Sequence, residues 1–405
     1  MLKRLAYYLL PVNVLIDTLL LFSEQFAWLP LVRAGLLLGL VIFVFIKCRG
    51  HLKHYSMLVF FLLYCMIQLA FVSDPAKSLN ITLKVCIPIA AFVVGFRLFN
   101  SAEELRKLSI SIITIFFILI TNFALSQLFG LGNSVYSEES DFRVGNLDDS
   151  WNVFTYSVLL TPMALYFARK SRWMKWSAYV GSTINAMLVV FSIKRIAILG
   201  LITGTGIRWL YSLQVKRIIK SLIGLALGVA VLYPFFGEKV EQRIQARSDR
   251  FESGALEREG RFLESQFVWD QVLSFDDPAK SLFGMEGFNS VGNYAGGRFG
   301  DRQLHVDYNL IVNTIGLVGL LLYLAMFVQL AFSMRRVHRR AQLESSFGIL
   351  IQSVFWMLLL NQFITSFAGQ MYHVSYRLIV FVFLGAILGT YHSSAYASTH
   401  RLQRK

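Results

Sequence analysis

Runs of about twenty consecutive apolar residues, such as Leu108–Leu128 and Ile218–Phe236, constrain this chain more than any other feature. A helix of that length crosses the hydrocarbon core of a bilayer, and the runs exceed what most buried helices of soluble proteins carry. The composition agrees: 56% of the 405 residues are hydrophobic and 16% are charged, against roughly 25% charged in soluble domains. A soluble enzyme, a disordered chain and a disulfide-stapled secreted domain are excluded. The three cysteines, Cys48, Cys65 and Cys86, sit in or beside apolar runs without metal-ligand or redox spacing, and read as small packing residues.

The apolar windows predict an all-α, polytopic integral membrane protein of about 12 transmembrane helices. The spans fall near 5–23, 28–47, 55–73, 81–98, 108–128, 152–168, 175–192, 195–212, 217–236, 307–333, 346–367 and 375–393. The first span is read as uncleaved, because Lys3 and Arg4 precede it and no small-residue cleavage site follows. Residues 1–236 then hold nine spans, 237–304 form one large hydrophilic loop, and 305–405 hold three spans and a tail. Cations concentrate on alternate connections: the N-terminus, 47–54, Arg97 with Arg106 and Lys107, 169–175, Lys216 to Lys220, Arg335 to Arg340, and Arg401 to Lys405. Under the positive-inside rule both termini are cytoplasmic and the 237–304 loop is outside. The formal charge of +15 is thereby explained by topology, and nucleic acid is not an expected partner.

Several polar features do not follow from membrane insertion. The long outer loop is one, since loops of that size on a helical bundle are usually functional. Its first part reads as an amphipathic helix, with Leu256, Leu263, Phe267 and Val268 at near-helical spacing and Glu257, Arg258, Glu264 and Asp270 between them. Its second part, FGMEGFNSVGNYAGGRFGDRQ, is Gly-rich and reads as irregular. Lys194–Arg195 is another, lying at a tight outer turn against the charge rule. Either the turn is misassigned, or a side chain snorkels to headgroups, or the pair binds phosphate. His305 starts the tenth span, and is a structural hydrogen-bonder or a base. Asp307 and Asn309 follow it, with Asp307 also placed to cap the helix. Gly316 and Gly319 would let another helix approach closely. Lys84 is a further candidate cation facing the interior, and Arg33 resembles it or snorkels. Asp17, Asn122, Asn361 and Gln362 read as interhelical hydrogen-bonders.

Taken together, the outer groups are Arg195 with Lys194, Arg258, Arg261, Lys84 and His305, with no cluster of metal ligands. Guanidinium matches phosphate because its donor fork binds two oxygens at once. An imidazole can take a proton from an attacking hydroxyl near neutral pH. Such a set suits an anionic leaving group held without a metal; an anion transporter would also use it.

Three stretches, SIKRIAILGLITG (192–204), LEREGRFLES (256–265) and HVDYNLIVNTIGLVGLLL (305–322), resemble in order the superfamily of bacterial O-antigen ligases and Wzy-type O-antigen or exopolysaccharide polymerases. Arg195, Arg261 and His305 fall on that family's motif positions. The resemblance implies a metal-independent glycosyltransferase of the bacterial inner membrane, without cofactor, whose site faces the periplasm. The donor would be an undecaprenyl-diphosphate-linked glycan, its diphosphate held by Arg195, Lys194, Arg261, Arg258 and Lys84. His305 would orient or deprotonate the acceptor hydroxyl, with Asp307 and Asn309 on the acceptor side. Membrane lipid and a chain-length regulator would be the other partners. The chain departs from the family pattern where Val306–Asp307 follows His305 instead of Asn, and where Asn313–Thr314 replaces a Glu. The expected activity is polymerisation of lipid-linked repeat units. The alternatives are ligation to lipid A core and, from another class, a lipid-linked oligosaccharide flippase or secondary transporter.

Overall fold

Helix starts in this chain are set by capping groups that lie upstream of the apolar runs. Ser101 accepts from the Glu104 backbone N–H (3.3 Å), the first half of a Ser-x-x-Glu capping signal, so α5 runs over Ala102–Phe129. Asp74 accepts from the Lys77 N–H at 3.1 Å ahead of Pro75, and α4 spans Pro75–Leu98. Both helices begin six residues before the expected spans. Hydropathy reports only side-chain transfer, whereas the cap determines where the backbone can start to turn.

The computed structural model describes residues 2–19, 28–47, 53–132, 143, 145, 150–192 and 194–212. It further describes isolated positions between 219 and 245, then 260–284, 286–292, 294, 303–341, 343, 345–369 and 371–403. The remaining helices are α1 (Leu2–Leu19), α2 (Leu29–Lys47), α3 (Ser56–Gln68), α6 (Ser150–Leu159), α7 (Thr161–Phe167), α8 (Arg172–Phe191) and α9 (Arg195–Ser212). After them come α10 (Gly260–Leu273), α11 (Pro278–Phe283), α12 (Asp307–His338), α13 (Ser345–Thr365) and α14 (Val374–Gln403). Among the described residues there is no strand beyond one isolated bridge, Gly132 to Gly145. Among the described residues, six helices are long and apolar enough to cross a membrane: Leu29–Lys47, Pro75–Leu98, Ala102–Phe129, Asp307–His338, Ser346–Thr365 and Val374–Tyr396. The ninth expected span, 217–236, lies largely outside the described residues.

The sixth expected span is broken. Pro162 sits in the first turn of α7, where its missing N–H separates α7 from α6. The tenth is broken more sharply. Gly316, at φ 72° and ψ −178°, interrupts α12 in a backbone region open essentially to glycine. The chain folds back there, so that the Tyr308 and Tyr323 rings lie 6.4 Å apart although fifteen positions separate them. Every residue from Asp307 to Gly316 is buried, so this leading segment is a short helix enclosed on all sides. The carbonyls freed by the break are met: Glu286 N–H donates to Thr314 O at 3.0 Å, and the Tyr64 hydroxyl to Ile315 O at 2.8 Å. Irregular backbone survives in an apolar surround only with such partners. The close approach of another helix expected at Gly316 is met, by the short helix α11. What packs on it is the backbone of Leu282 and Phe283 from α11.

α14 forms the centre of the bundle, lying against α4 so closely that a Cβ on Gly385 or Gly389 would overlap the carbonyls of Phe92 or Phe96. The spacing Gly385-x-x-x-Gly389 is the small-residue signature of close helix approach in membranes. Cys65 and Cys86 are buried free thiols in this core.

The helix ends sort into two groups. Lys3 pairs with Glu104 (3.3 Å), Ser333 reaches His54 O (3.0 Å), Thr390 reaches Phe99 O (3.3 Å), and Tyr391 reaches Gly348 O (2.7 Å). These contacts gather the cation-rich connections at one end. The opposite end collects Asn13 with Ser375 (2.7 Å), Ser73 and Ser78 with Glu286, and Asp307 N–H with Ser366 O (3.0 Å).

Candidate functional site

His305 lies at this second, cation-poor end, just ahead of the enclosed first segment of α12. Its backbone is held from two sides. Leu304 N–H donates to Ser290 Oγ at 2.9 Å, and Asp307 N–H to Ser366 O in the turn between α13 and α14. Gly369, at φ 85° in that turn, presses on the His305 carbonyl so tightly that a Cβ there would overlap it. The imidazole is partly exposed, and its Nδ1 lies 3.8 Å from Glu264 Oε2 of α10. That is ion-pair range rather than a formed hydrogen bond.

Glu264 was expected among the polar positions of an amphipathic helix. The structure puts it instead on the buried stripe with Val268 and Val272, at 0% exposure. α10 is clamped in this register by Asn309, whose Oδ1 accepts from Trp269 Nε1 (3.1 Å) and whose Nδ2 donates to Ser265 Oγ (2.7 Å). The helical reading of the loop is met from residue 260 onward; Leu256, Glu257 and Arg258 lie outside the described residues. α11, capped by Asp277 (Lys280 N–H to Oδ1, 3.1 Å), precedes the Gly-rich stretch, whose described residues after Phe283 are irregular as expected.

The turn carrying Lys194 and Arg195 is where the span count put it, between the end of α8 at Phe191 and the start of α9 at Arg195. Ser192 Oγ accepts from Lys194 N–H (3.1 Å) and tightens it. α9 runs antiparallel to α13. Thr203 donates to Asn361 at 3.3 Å, while Tyr211 at the far end of α9 neighbours Arg335 and Tyr391 of the cation-rich end. Eight residues before Thr203, a rise of about 12 Å, brings Arg195 to the level of the turn that touches His305. Arg195 is exposed and Lys194 half-buried. Arg261 belongs to the first turn of α10, one turn ahead of Glu264; its side chain lies outside the described residues. The backbones of Arg195 and Arg261 and the imidazole of His305 therefore belong to one end of the bundle.

Three expected site residues are relocated. Lys84 does not face the interior; it is exposed on α4, because the opposite face of that helix is taken up by Ser78, Thr82 and Val85. Asp307 and Asn309 do not face an acceptor. Asn309 is spent on clamping α10, and Asp307 forms a fully buried ion pair with Arg377 Nη2 of α14. Asp307 also does not cap α12, whose N-cap is Val306. Arg377 further donates from Nε to the Tyr376 hydroxyl (3.1 Å), and Tyr376 stacks on Tyr156 at 5.6 Å. Tyr323 and Ser366 share a hydrogen bond of 3.1 Å beside them. Asp17 holds Arg33 and accepts from Ser375, so Arg33 does not snorkel. Asn361 makes its expected interhelical bond through Thr203.

Sequence reasoning missed Glu264 as a site residue, and missed Arg377 and Gly369 entirely. Arg377 carried a signal: an arginine inside an apolar span needs an acidic or carbonyl partner, and Asp307 was in want of a cation. Glu264 and Gly369 are recognisable only from what lies beneath them.

The fold and this site define a helical membrane protein with a polar mouth at the cation-poor end of its bundle. Compared with protein-family models the chain matches none, and it matches no curated protein sequence. Among the described residues no group of three or more His, Cys, Asp or Glu side chains could hold a metal ion.

Proposed function

We propose that this protein is a polysaccharide polymerase of about twelve spans in a bacterial inner membrane, with both termini cytoplasmic. It would transfer an undecaprenyl-diphosphate-linked glycan to the acceptor sugar of another lipid-linked unit at the periplasmic face. The observation that carries this reading is that the backbones of Arg195 and Arg261 and the imidazole of His305 belong to one end of the bundle, the cation-poor one. The gathering of cation-rich connections at the other end supports the orientation.

In this reading Arg195 and Arg261, aided by Lys194 and Arg258, hold the diphosphate and stabilise the charge that grows on its leaving oxygen. His305 takes the proton of the acceptor hydroxyl as that oxygen attacks the anomeric carbon. Lys84, exposed on α4, is left out of the diphosphate set. Replacing Arg195, Arg261 or His305 with Ala should abolish long glycan chains while the protein still inserts. Normal chain production in all three variants would remove the assignment.

An O-antigen ligase shares the donor chemistry and differs in acceptor. Lipid-linked glycans in a deletion strain separate the two: a lost polymerase leaves single repeat units, a lost ligase leaves long chains on the carrier. One observation favours a transporter or flippase, the break of α12 at Gly316, since discontinuous helices line the binding sites of many transporters. A lost flippase would leave repeat units facing the cytoplasm.

A further inference from the structure

We infer that Glu264, in the outer helix α10, is the positioning residue that orients His305 and carries the counter-charge to its imidazolium; this rests on the glycosyl-transfer reading above. α10 packs on the enclosed first segment of α12, and most of its described polar side chains, Gln266, Asp270 and Gln271, are exposed. Glu264 alone among its described acids is turned inward, at 0% exposure. Removing a carboxylate from water costs several kcal/mol, so an inward glutamate implies a compensating group. His305 Nδ1 stands 3.8 Å from Oε2.

The register that creates this pair is built in. Asn309 lies four residues beyond His305, and Ser265 and Trp269 follow Glu264 along α10. The Asn309 bonds to Ser265 (2.7 Å) and Trp269 (3.1 Å) therefore hold the carboxylate over the ring. Asp307, the nearer carboxylate in sequence, is unsuited to the task because Arg377 holds it in a fully buried pair. Among the described residues, the other titratable groups on elements packed around His305 are Asp270 of α10, Glu286 and Tyr294 of the segment that carries Ser290, Tyr308 of α12, Tyr372 and His373 before α14, and Tyr376 and Arg377 within it. Of the two carboxylates among them, Asp270 is exposed and Glu286 meets Ser73.

In the transfer step the acceptor O–H bond breaks and its proton passes to His305 Nε2. The acceptor oxygen bonds the anomeric carbon, and the carbon–oxygen bond to the diphosphate breaks with its electron pair leaving on the diphosphate. Glu264 accepts the Nδ1–H throughout, which fixes the tautomer with Nε2 free and balances the positive charge of the ring. A separation of 3.8 Å is compatible with this role, because such bonds commonly shorten only when substrate is bound.

The test uses the full-length protein reconstituted in vesicles with a polyprenyl-diphosphate-linked repeat unit. E264Q preserves shape and removes charge; it should lower kcat at least tenfold while KM for the donor and the thermal midpoint stay unchanged. Wild-type kcat in E264Q beside an inactive H305A overturns the inference and leaves the reading of the site standing. An active H305A overturns both. If E264Q does not fold, E264D takes its place. A folded E264D with activity above that of H305A supports the inference, and one no more active than H305A overturns it.

Discussion

Cutting the ion pair between Asp307 and Arg377 tests the architecture without reference to chemistry. Both side chains are 0% exposed, and the pair ties the enclosed first segment of α12 to the first turn of α14. In R377M the Asp307 carboxylate keeps its backbone position, fixed by the Asp307 N–H bond to Ser366 O, and loses its counter-charge. In D307N the guanidinium keeps its hydrogen-bonding neighbours, the Tyr376 and Tyr323 hydroxyls and the amide oxygen at 307, but loses its counter-charge. Breaking a buried pair by removing one member costs about 3–5 kcal/mol. Replacing both members with apolar groups of similar volume is often neutral or better. The expected pattern is therefore a loss of about 3–5 kcal/mol in each single variant and a double variant D307L/R377M within about 2 kcal/mol of wild type. Equilibrium unfolding in mixed micelles, read by circular dichroism and tryptophan fluorescence, measures it. Single variants that each cost under about 1 kcal/mol and add up in the double would show that the charges are solvated, and would refute the reasoning.

Two further outcomes follow from the contacts around His305. Gly369→Ala puts a methyl group where the His305 carbonyl now lies, at a φ of 85° that alanine disfavours. Relief requires the His305 backbone to move on the order of an ångström, which in a catalytic constellation costs about a hundredfold in turnover; glycan chain length on gels should collapse although the protein still inserts. Asn309→Ala removes both bonds that clamp α10 and leaves the Trp269 indole without its acceptor, a cost of about 1–3 kcal/mol. Hydrogen exchange should rise across residues 260–273 and stay unchanged in α14. Equal protection in wild type and variant would show that α10 is held by other contacts.

Much of the bundle was legible in order along the chain. The apolar runs marked α2, α4, α5, α13 and α14, and Gly-free, cap-bearing stretches such as Ser101 to Glu104 mark where a helix starts if caps are read alongside hydropathy. The tight turn before Arg195 was visible because two cations interrupt an otherwise continuous apolar run. The fold-back at Gly316 was not. A glycine within an apolar stretch reads equally as a packing notch or as a break, and hydropathy carries no information on φ. The same ambiguity hid the α4–α14 contact, whose spacing Gly385-x-x-x-Gly389 was open to inspection but whose partner surface on Phe92 and Phe96 was not.

Membrane character, the placement of the apolar helices and the candidacy of Arg195 and His305 rest on local properties: transfer free energy summed over twenty residues, and the cost of a cation or imidazole next to it. These belong to a residue and its near neighbours, so the sequence by itself determined them. The inward turn of Glu264, the commitment of Asp307 to Arg377 seventy positions away, and the pressure of Gly369 on His305 were decided only by tertiary structure. Each depends on which distant backbone occupies the adjoining space, and burial converts an ordinary polar side chain into one that must find its partner there.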